Sequence, residues 1–138
     1  MSVRPLPTPS APPVAGPYSP AVRAGDWIVL SGQLGLGPDG GLVAGGTETQ
    51  ARQALANVAA VLGDCGASWG DVAKVAIFLT DLSEFPRVNA LYEDALGAHR
   101  PARTAVGSRR YPRARASRSS VGCIDRSNDR RLGKTKPS

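Results

Sequence analysis

The 138-residue sequence has few of the residues from which metal sites and disulfide frameworks are built. Its two cysteines, Cys65 and Cys123, lie far apart and lack the short spacing of zinc ligands. Its one histidine, His99, has no evident partner in the surrounding sequence, so we expect it at the surface. The sequence therefore predicts free thiols and no metal site.

Long apolar runs are also absent from the sequence. No stretch reaches the roughly 20 apolar residues that a membrane-spanning helix needs. Residues 1–20, MSVRPLPTPSAPPVAGPYSP, lack the continuous apolar region of a secretory signal. We therefore expect a cytoplasmic protein with no membrane partner. The length is enough for one domain with a core and too short for two domains of usual size.

The positive charge is confined to one end of the chain. The net charge is +6, but residues 1–106 have seven Lys and Arg against nine Asp and Glu, whereas residues 107–138 have ten against two. The last 31 residues have no apolar period, so we expect a disordered basic tail at 108–138. Proline-rich residues 1–13 predict a flexible arm, and 14–107 the folded domain.

Hydrophobic periodicity predicts alternating strands and helices in this domain. A strand lies within 26–36 and is followed by the turn GPDGG, and a helix covers 47–67. A second strand covers 71–82, a second helix 83–99, and an extended segment 101–106. This order indicates an α+β fold in which two helices cover one face of a mixed sheet.

Local signals indicate where the helices begin and end. Thr47 and Gln50 have the spacing of a capping box at the start of the first helix. Gly63 and Gly66 are available to end it. Pro86 suits the first turn of the second helix.

Several strings of the sequence together point to one protein family. They are GPYSPAV (16–22), LSGQLGL (30–36), QARQALANVAAVL (50–62), VAKVAIFLTDLSEFPRVNALYE (72–93) and PARTAV (101–106). In order and spacing these strings resemble the reactive-intermediate deaminase (RidA, formerly YjgF) family of imine and enamine deaminases, over about residues 14–107. The resemblance implies a chorismate-mutase-like fold, a homotrimer with a cleft at each subunit interface, and hydrolysis without metal or organic cofactor.

The chemistry of such a reaction sets two requirements. Imines and enamines derived from amino acids, such as 2-aminoacrylate, carry a carboxylate beside an electrophilic C=N carbon. A planar arginine side chain can bind both carboxylate oxygens. A carboxylate within hydrogen-bond reach of a water molecule can accept its proton and later protonate the departing ammonia.

The resemblance assigns five substrate-binding residues. Arg103 in PARTAV matches the family's arginine for the substrate carboxylate, although an isolated arginine at a strand end would ordinarily form an ion pair. Tyr18 and Ser31 match residues that line the same cleft, but alone they would be a packed aromatic and a turn serine. Gly32 allows the backbone to approach a ligand, or forms a tight turn. Asn89 is either a site residue or a polar contact on a helix.

The family's water-activating glutamate is not where the resemblance requires it. It follows the arginine by fifteen residues on the last strand, and that position holds Arg118. The segment ARASRSSV around it cannot continue an apolar sheet face, because its arginines would enter the core unpaired. We therefore expect the last strand to be lost or altered, and the catalytic base of this chain is unknown.

Two other functions remain open from the sequence. Some relatives are described as RNA-cleaving, and an arginine-rich tail has salt-sensitive affinity for phosphate. The domain is acidic and Tyr111 is the tail's one aromatic residue, so we expect nucleic acid to bind only non-specifically, through the tail. A trimer that binds keto acids without catalysis is the other alternative.

The sequence of the tail suggests that it was translated in a displaced reading frame. With GC-rich codons for SRRYPRARASRSS (108–120), a reading frame displaced by one base translates as VAALPAGAGVEVE and places a glutamate at position 118. This string has the acidic and apolar alternation of the family's last strand. We interpret the tail as the product of a one-base change of frame after about Gly107, natural or introduced in sequencing.

The coding DNA tests this interpretation. We expect its codons over 108–120 to translate, in the displaced frame, into an apolar strand with glutamate at position 118. Sequencing this region from independently isolated DNA is the measurement. Serine and arginine codons that give no such strand contradict the interpretation.

Overall fold

Six strands and two α-helices make up the part of the chain that the computed structural model describes, residues 2–107 and the backbone of residues 119–126. The five elements predicted from periodicity are all present. The elements are β1 (Val3–Pro5), β2 (Ala21–Ala24), β3 (Trp27–Leu30), α1 (Thr47–Asp64), β4 (Val72–Leu79), α2 (Phe85–Leu96), β5 (Ala102–Gly107) and β6 (Ser119–Arg126).

The strands form one mixed sheet in the order β1-β2-β3-β6-β4-β5. Every neighbouring pair is antiparallel except β4 and β5, which are parallel. A parallel pair needs a crossover connection, and α2 is that connection. The sheet therefore ends at β5, with α2 leading directly into it.

One face of the sheet is buried beneath the two helices. Alternate residues of β4, namely Val75, Ile77 and Leu79, are buried, as are Ile28 and Leu30 of β3. They join one apolar cluster with the buried faces of α1 and α2. The prediction of an α+β fold with two helices on one sheet face is confirmed. Within the described residues, no helix is long and apolar enough to cross a bilayer.

The glycine signal predicted for the end of α1 is observed at Gly66, but the signal predicted for its start is not. The helix is preceded by Gly46 as N-cap, with no side-chain cap, so the predicted capping box of Thr47 and Gln50 is wrong. Both side chains are buried instead, because they face the core. At the other end Gly66 has φ +75°, and the amide of Ala67 donates to the Leu62 carbonyl at 2.9 Å. This is a Schellman ending.

The start of α2 is fixed by polar and apolar groups together. Asp81 precedes it and accepts hydrogen bonds from the hydroxyl and the amide of Ser83, at 2.7 and 2.9 Å. These bonds stabilise the charged carboxylate and lower the pKa of Asp81. Pro86 lies in the first turn, as predicted.

Two predicted irregular segments contain strands. Val3–Pro5 in the proline-rich arm pairs with β2, and Ser10 donates from its amide and hydroxyl to Asp64, both at 2.8 Å. The prediction of a disordered tail is corrected at Ser119–Arg126, which pairs with β3 and β4. Without this segment, β3 and β4 would face each other across a gap with unpaired backbone groups. The last strand is thus altered in sequence and not lost, while the other tail residues lie outside the described part.

The loop after β3 is fastened to α1 by an asparagine and a glycine. The Nδ2 atom of Asn57 donates to the carbonyl oxygens of Leu34 and Leu36, both at 2.9 Å. Gly35 lies against the backbone of Gln50, where a Cβ on Gly35 would be 2.7 Å from the Gln50 carbonyl oxygen. Only glycine permits this approach between loop and helix.

A pair of glycine substitutions tests this contact. Gly35→Ala should destabilise the fold by about 1–3 kcal/mol, because the clash is with backbone that cannot rotate away. Gly63→Ala is the matched control, since no atom lies within 4 Å of the new methyl group. The control should stabilise α1 by roughly 0.5–1 kcal/mol. Urea unfolding measures both, and equal stability of Gly35→Ala and the wild type would contradict the assignment.

Candidate functional site

Arg103 is held in place by three side chains of α2. It pairs with buried Val75, so its side chain lies on the helix-covered side of the sheet. Its Nη1 atom donates to Oδ1 of Asn89 at 2.6 Å. Its guanidinium carbon lies 5.2 Å from the ring centre of Phe85 and 5.0 Å from that of Tyr92. These contacts orient the guanidinium at the edge of the sheet.

A pocket of about 380 Å³ opens beside this guanidinium. It lies between the second half of α2 and the beginning of β5. Its charged groups are two arginines and one glutamate, so it can receive an anionic ligand of small size. The lining residues are Asn89, Tyr92, Glu93, Arg100, Pro101 and Arg103.

Tyr18 and Gly32 belong to a different and smaller pocket of about 40 Å³, formed by the proline-rich arm and the loop after β3. Tyr18 is 51% exposed. The hydroxyl of Ser31 donates to the Ser19 carbonyl at 2.6 Å, which ties the two loops together. Gly32 does not have a left-handed φ, so its backbone conformation does not by itself require glycine.

The two pockets are separated by the width of several strands. Across the sheet, Val29 pairs with Ile124, Ile124 with Lys74, and Lys74 with Ala102. Three strand spacings place β3 and β5 about 14 Å apart in the sheet. The structure therefore brings Arg103 and Asn89 together, and Tyr18, Ser31 and Gly32 together, but in the described part of the chain Arg103 and Tyr18 line different pockets.

Some features of the site were not predicted from the sequence. Phe85 and Tyr92 lie seven residues, or about two helical turns, apart on the face of α2 that meets Arg103, and neither was assigned to the site from the sequence. His99 was expected at the surface, but a ring nitrogen lies 2.8 Å from the Val72 carbonyl and links the loop before β5 to β4. Arg118, at the glutamate position, lies outside the described residues. The described residues contain no cluster suited to a metal ion.

Comparison with known proteins identifies relatives of the chain. The family model described as Endoribonuclease L-PSP matches residues 8–116. The 2-iminobutanoate/2-iminopropanoate deaminase of Salmonella typhimurium is 39% identical over 109 residues, which are 77% of this chain and 85% of that protein.

Solved structures agree with this result. RidA from an Antarctic Psychrobacter bacterium has a TM-score of 0.82 and 34% identity, over 89% of this chain and 98% of that one. Escherichia coli TdcF with bound serine has a TM-score of 0.80 and 32% identity, over 91% and 99%. The chain therefore belongs to the endoribonuclease L-PSP family, which includes the RidA proteins that its sequence resembles.

Proposed function

We propose that this chain binds short 2-imino or 2-enamino acids and hydrolyses them to 2-keto acids and ammonia. The observation that supports this most directly is the fixed guanidinium of Arg103 beside an open pocket. The similarity to a 2-iminobutanoate/2-iminopropanoate deaminase supports the same reaction.

Arg103 is suited to hold the substrate carboxylate. Asn89 accepts one N–H of its Nη1 group, which leaves the other donors for a ligand. The rings of Phe85 and Tyr92 restrict rotation of the guanidinium, so less entropy is lost when a carboxylate binds. A carboxylate held at two oxygens presents the neighbouring C=N carbon in one orientation.

Hydrolysis also requires a proton acceptor for water. Water adds its oxygen to the C=N carbon, the nitrogen gains a proton, and the C–N bond of the resulting carbinolamine breaks to release ammonia. The family's glutamate position holds Arg118, whose cationic side chain cannot accept the water's proton. We therefore expect substrate binding to be retained and turnover to be slow.

A homotrimer would complete the cleft. The sheet face away from the helices carries exposed apolar side chains, with Trp27 42%, Phe78 39% and Val106 38% exposed. Phe78 and Val106 are paired across β4 and β5, so they form one patch. We propose that three copies close a ring through this face, which places the Arg103 pocket of one copy against the Tyr18 pocket of the next.

An arginine substitution tests the proposed ligand contact. Arg103→Lys keeps the charge but loses bidentate binding, so affinity for 2-oxobutanoate should fall about 10–100-fold, equivalent to roughly 1.4–2.7 kcal/mol. Arg52→Lys is the control, because Arg52 is an exposed α1 residue paired with Glu48. Titration calorimetry measures affinity, and ammonia release from enzymatically generated 2-iminobutanoate measures turnover.

The outcomes distinguish the parts of the proposal. Equal affinity in Arg103→Lys and the wild type would show that Arg103 does not bind the ligand. Wild-type turnover as fast as that of the Salmonella typhimurium relative would show that another group serves as base. Keto-acid binding without any ammonia release would favour a binding protein over an enzyme.

The apolar face predicts the oligomeric state. Phe78→Glu should convert a trimer into monomers, because a carboxylate would be buried in the interface without a partner. Ala59→Glu, on the exposed outer side of α1, is the matched control and should remain trimeric. Light scattering after size-exclusion chromatography measures the mass, and a trimeric Phe78→Glu variant would contradict this interface.

A further inference from the structure

A second arginine lines the Arg103 pocket, and the family motif does not account for it. Arg100 lies in the loop between α2 and β5. Its Nη1 atom donates to the carbonyl oxygens of Gly97 and His99, the second at 2.9 Å. Gly97 is the C-cap of α2, where the helix dipole favours a cation, and His99 lies in the loop that follows. The guanidinium is thus anchored from behind by one of its nitrogens.

The remaining donors of Arg100 are available to a ligand. No other hydrogen bond or ion pair of Arg100 occurs within residues 2–107, and the side chain lines the same pocket as Arg103. Arg100 precedes Pro101 and the start of β5, and its side chain lines the same pocket as that of Arg103. Two guanidinium groups in one pocket can bind two separate anionic groups of one small molecule.

Because Glu93 adds a negative charge to the pocket, Arg100 decides whether the net charge of the pocket favours an anionic ligand. It lines the pocket one helical turn after Asn89, and no hydrogen bond or ion pair of its carboxylate occurs within residues 2–107. With Arg103 and Glu93 alone the pocket would have no net charge. Arg100 raises its formal charge to +1, so the pocket offers one cation for each of two carboxylates.

The pocket is large enough for such a ligand. Its volume of about 380 Å³ is at the lower end of the range for small-molecule sites, roughly 300–1,000 Å³. A ligand with one carboxylate would leave the Arg100 donors to water. A ligand with carboxylates at both ends would bind both arginines at once and gain a second charge-assisted contact.

We propose that this pocket selects 2-imino acids that carry a second carboxylate, the four- and five-carbon imino forms of acidic amino acids. The carboxylate next to the imine binds Arg103, and the distal carboxylate binds Arg100. This inference rests on the proposed function, because it assumes that Arg103 holds the first carboxylate. It adds the substrate class, which is set by Arg100.

The experiment compares two stable keto acids in place of the reactive imines. Titration calorimetry with the full chain should show that 2-oxoglutarate binds about tenfold more tightly than 2-oxobutanoate, as expected for one additional charged contact. In Arg100→Gln the ratio of the two affinities should fall to near one. Arg87→Gln, which removes an exposed α2 charge paired with Glu84, is the matched control and should keep the wild-type ratio.

Two further variants separate binding from folding. Arg100→Lys keeps the charge, so it should retain part of the preference for 2-oxoglutarate. Glu93→Gln removes the opposing charge and should increase the affinity for 2-oxoglutarate severalfold. Thermal unfolding confirms that each variant is folded, because Arg100 also binds the end of α2.

The outcomes separate this inference from the proposed function. If the wild type binds 2-oxobutanoate as tightly as 2-oxoglutarate, the second subsite is wrong, whereas the role of Arg103 stands. If Arg100→Gln weakens both ligands equally, Arg100 acts on the fold and the inference is again wrong. If neither keto acid binds the wild type, the proposed function and the inference fail together.

Discussion

The parallel pairing of β4 and β5 is the constraint on which the site depends. Parallel strands need a crossover, and α2 provides it on the buried face of the sheet. The helix therefore ends close to where β5 begins, and Arg103 emerges beside Asn89, Phe85 and Tyr92. A guanidinium on a sheet edge would ordinarily move freely in water, but here one hydrogen bond and two rings hold it.

The same architecture leaves the proposed binding groups of one chain in two places. Arg103 lies at the β5 edge of the sheet, while Tyr18 and Gly32 lie near the far end of β3. Three strand spacings of the sheet lie between β3 and β5. The apolar face with Phe78 and Val106 gives a physical reason for association, since apolar surface of this kind is stabilised by burial.

The predicted and observed structures agree where the local pattern determines the result. Val75, Ile77 and Leu79 alternate as a strand must, and the periodicity of α1 needs no distant partner to be recognised. The hydrophobic pattern did not predict the strands whose partners are distant in the sequence. Val3–Pro5 is short and contains proline, and its strand geometry comes from β2. Ser119–Arg126 is extended because β3 and β4 lie on either side of it.

The sequence by itself determined the alternation of strands and helices and the family resemblance, and it singled out Arg103 as a candidate residue, because each follows from short strings with a fixed spacing. Only the tertiary structure decided which side chains surround that arginine. Phe85 and Glu93 lie on separate turns of α2, and no local pattern relates them to Arg103. They meet because α2 packs against the edge of the sheet, and that packing depends on the whole core.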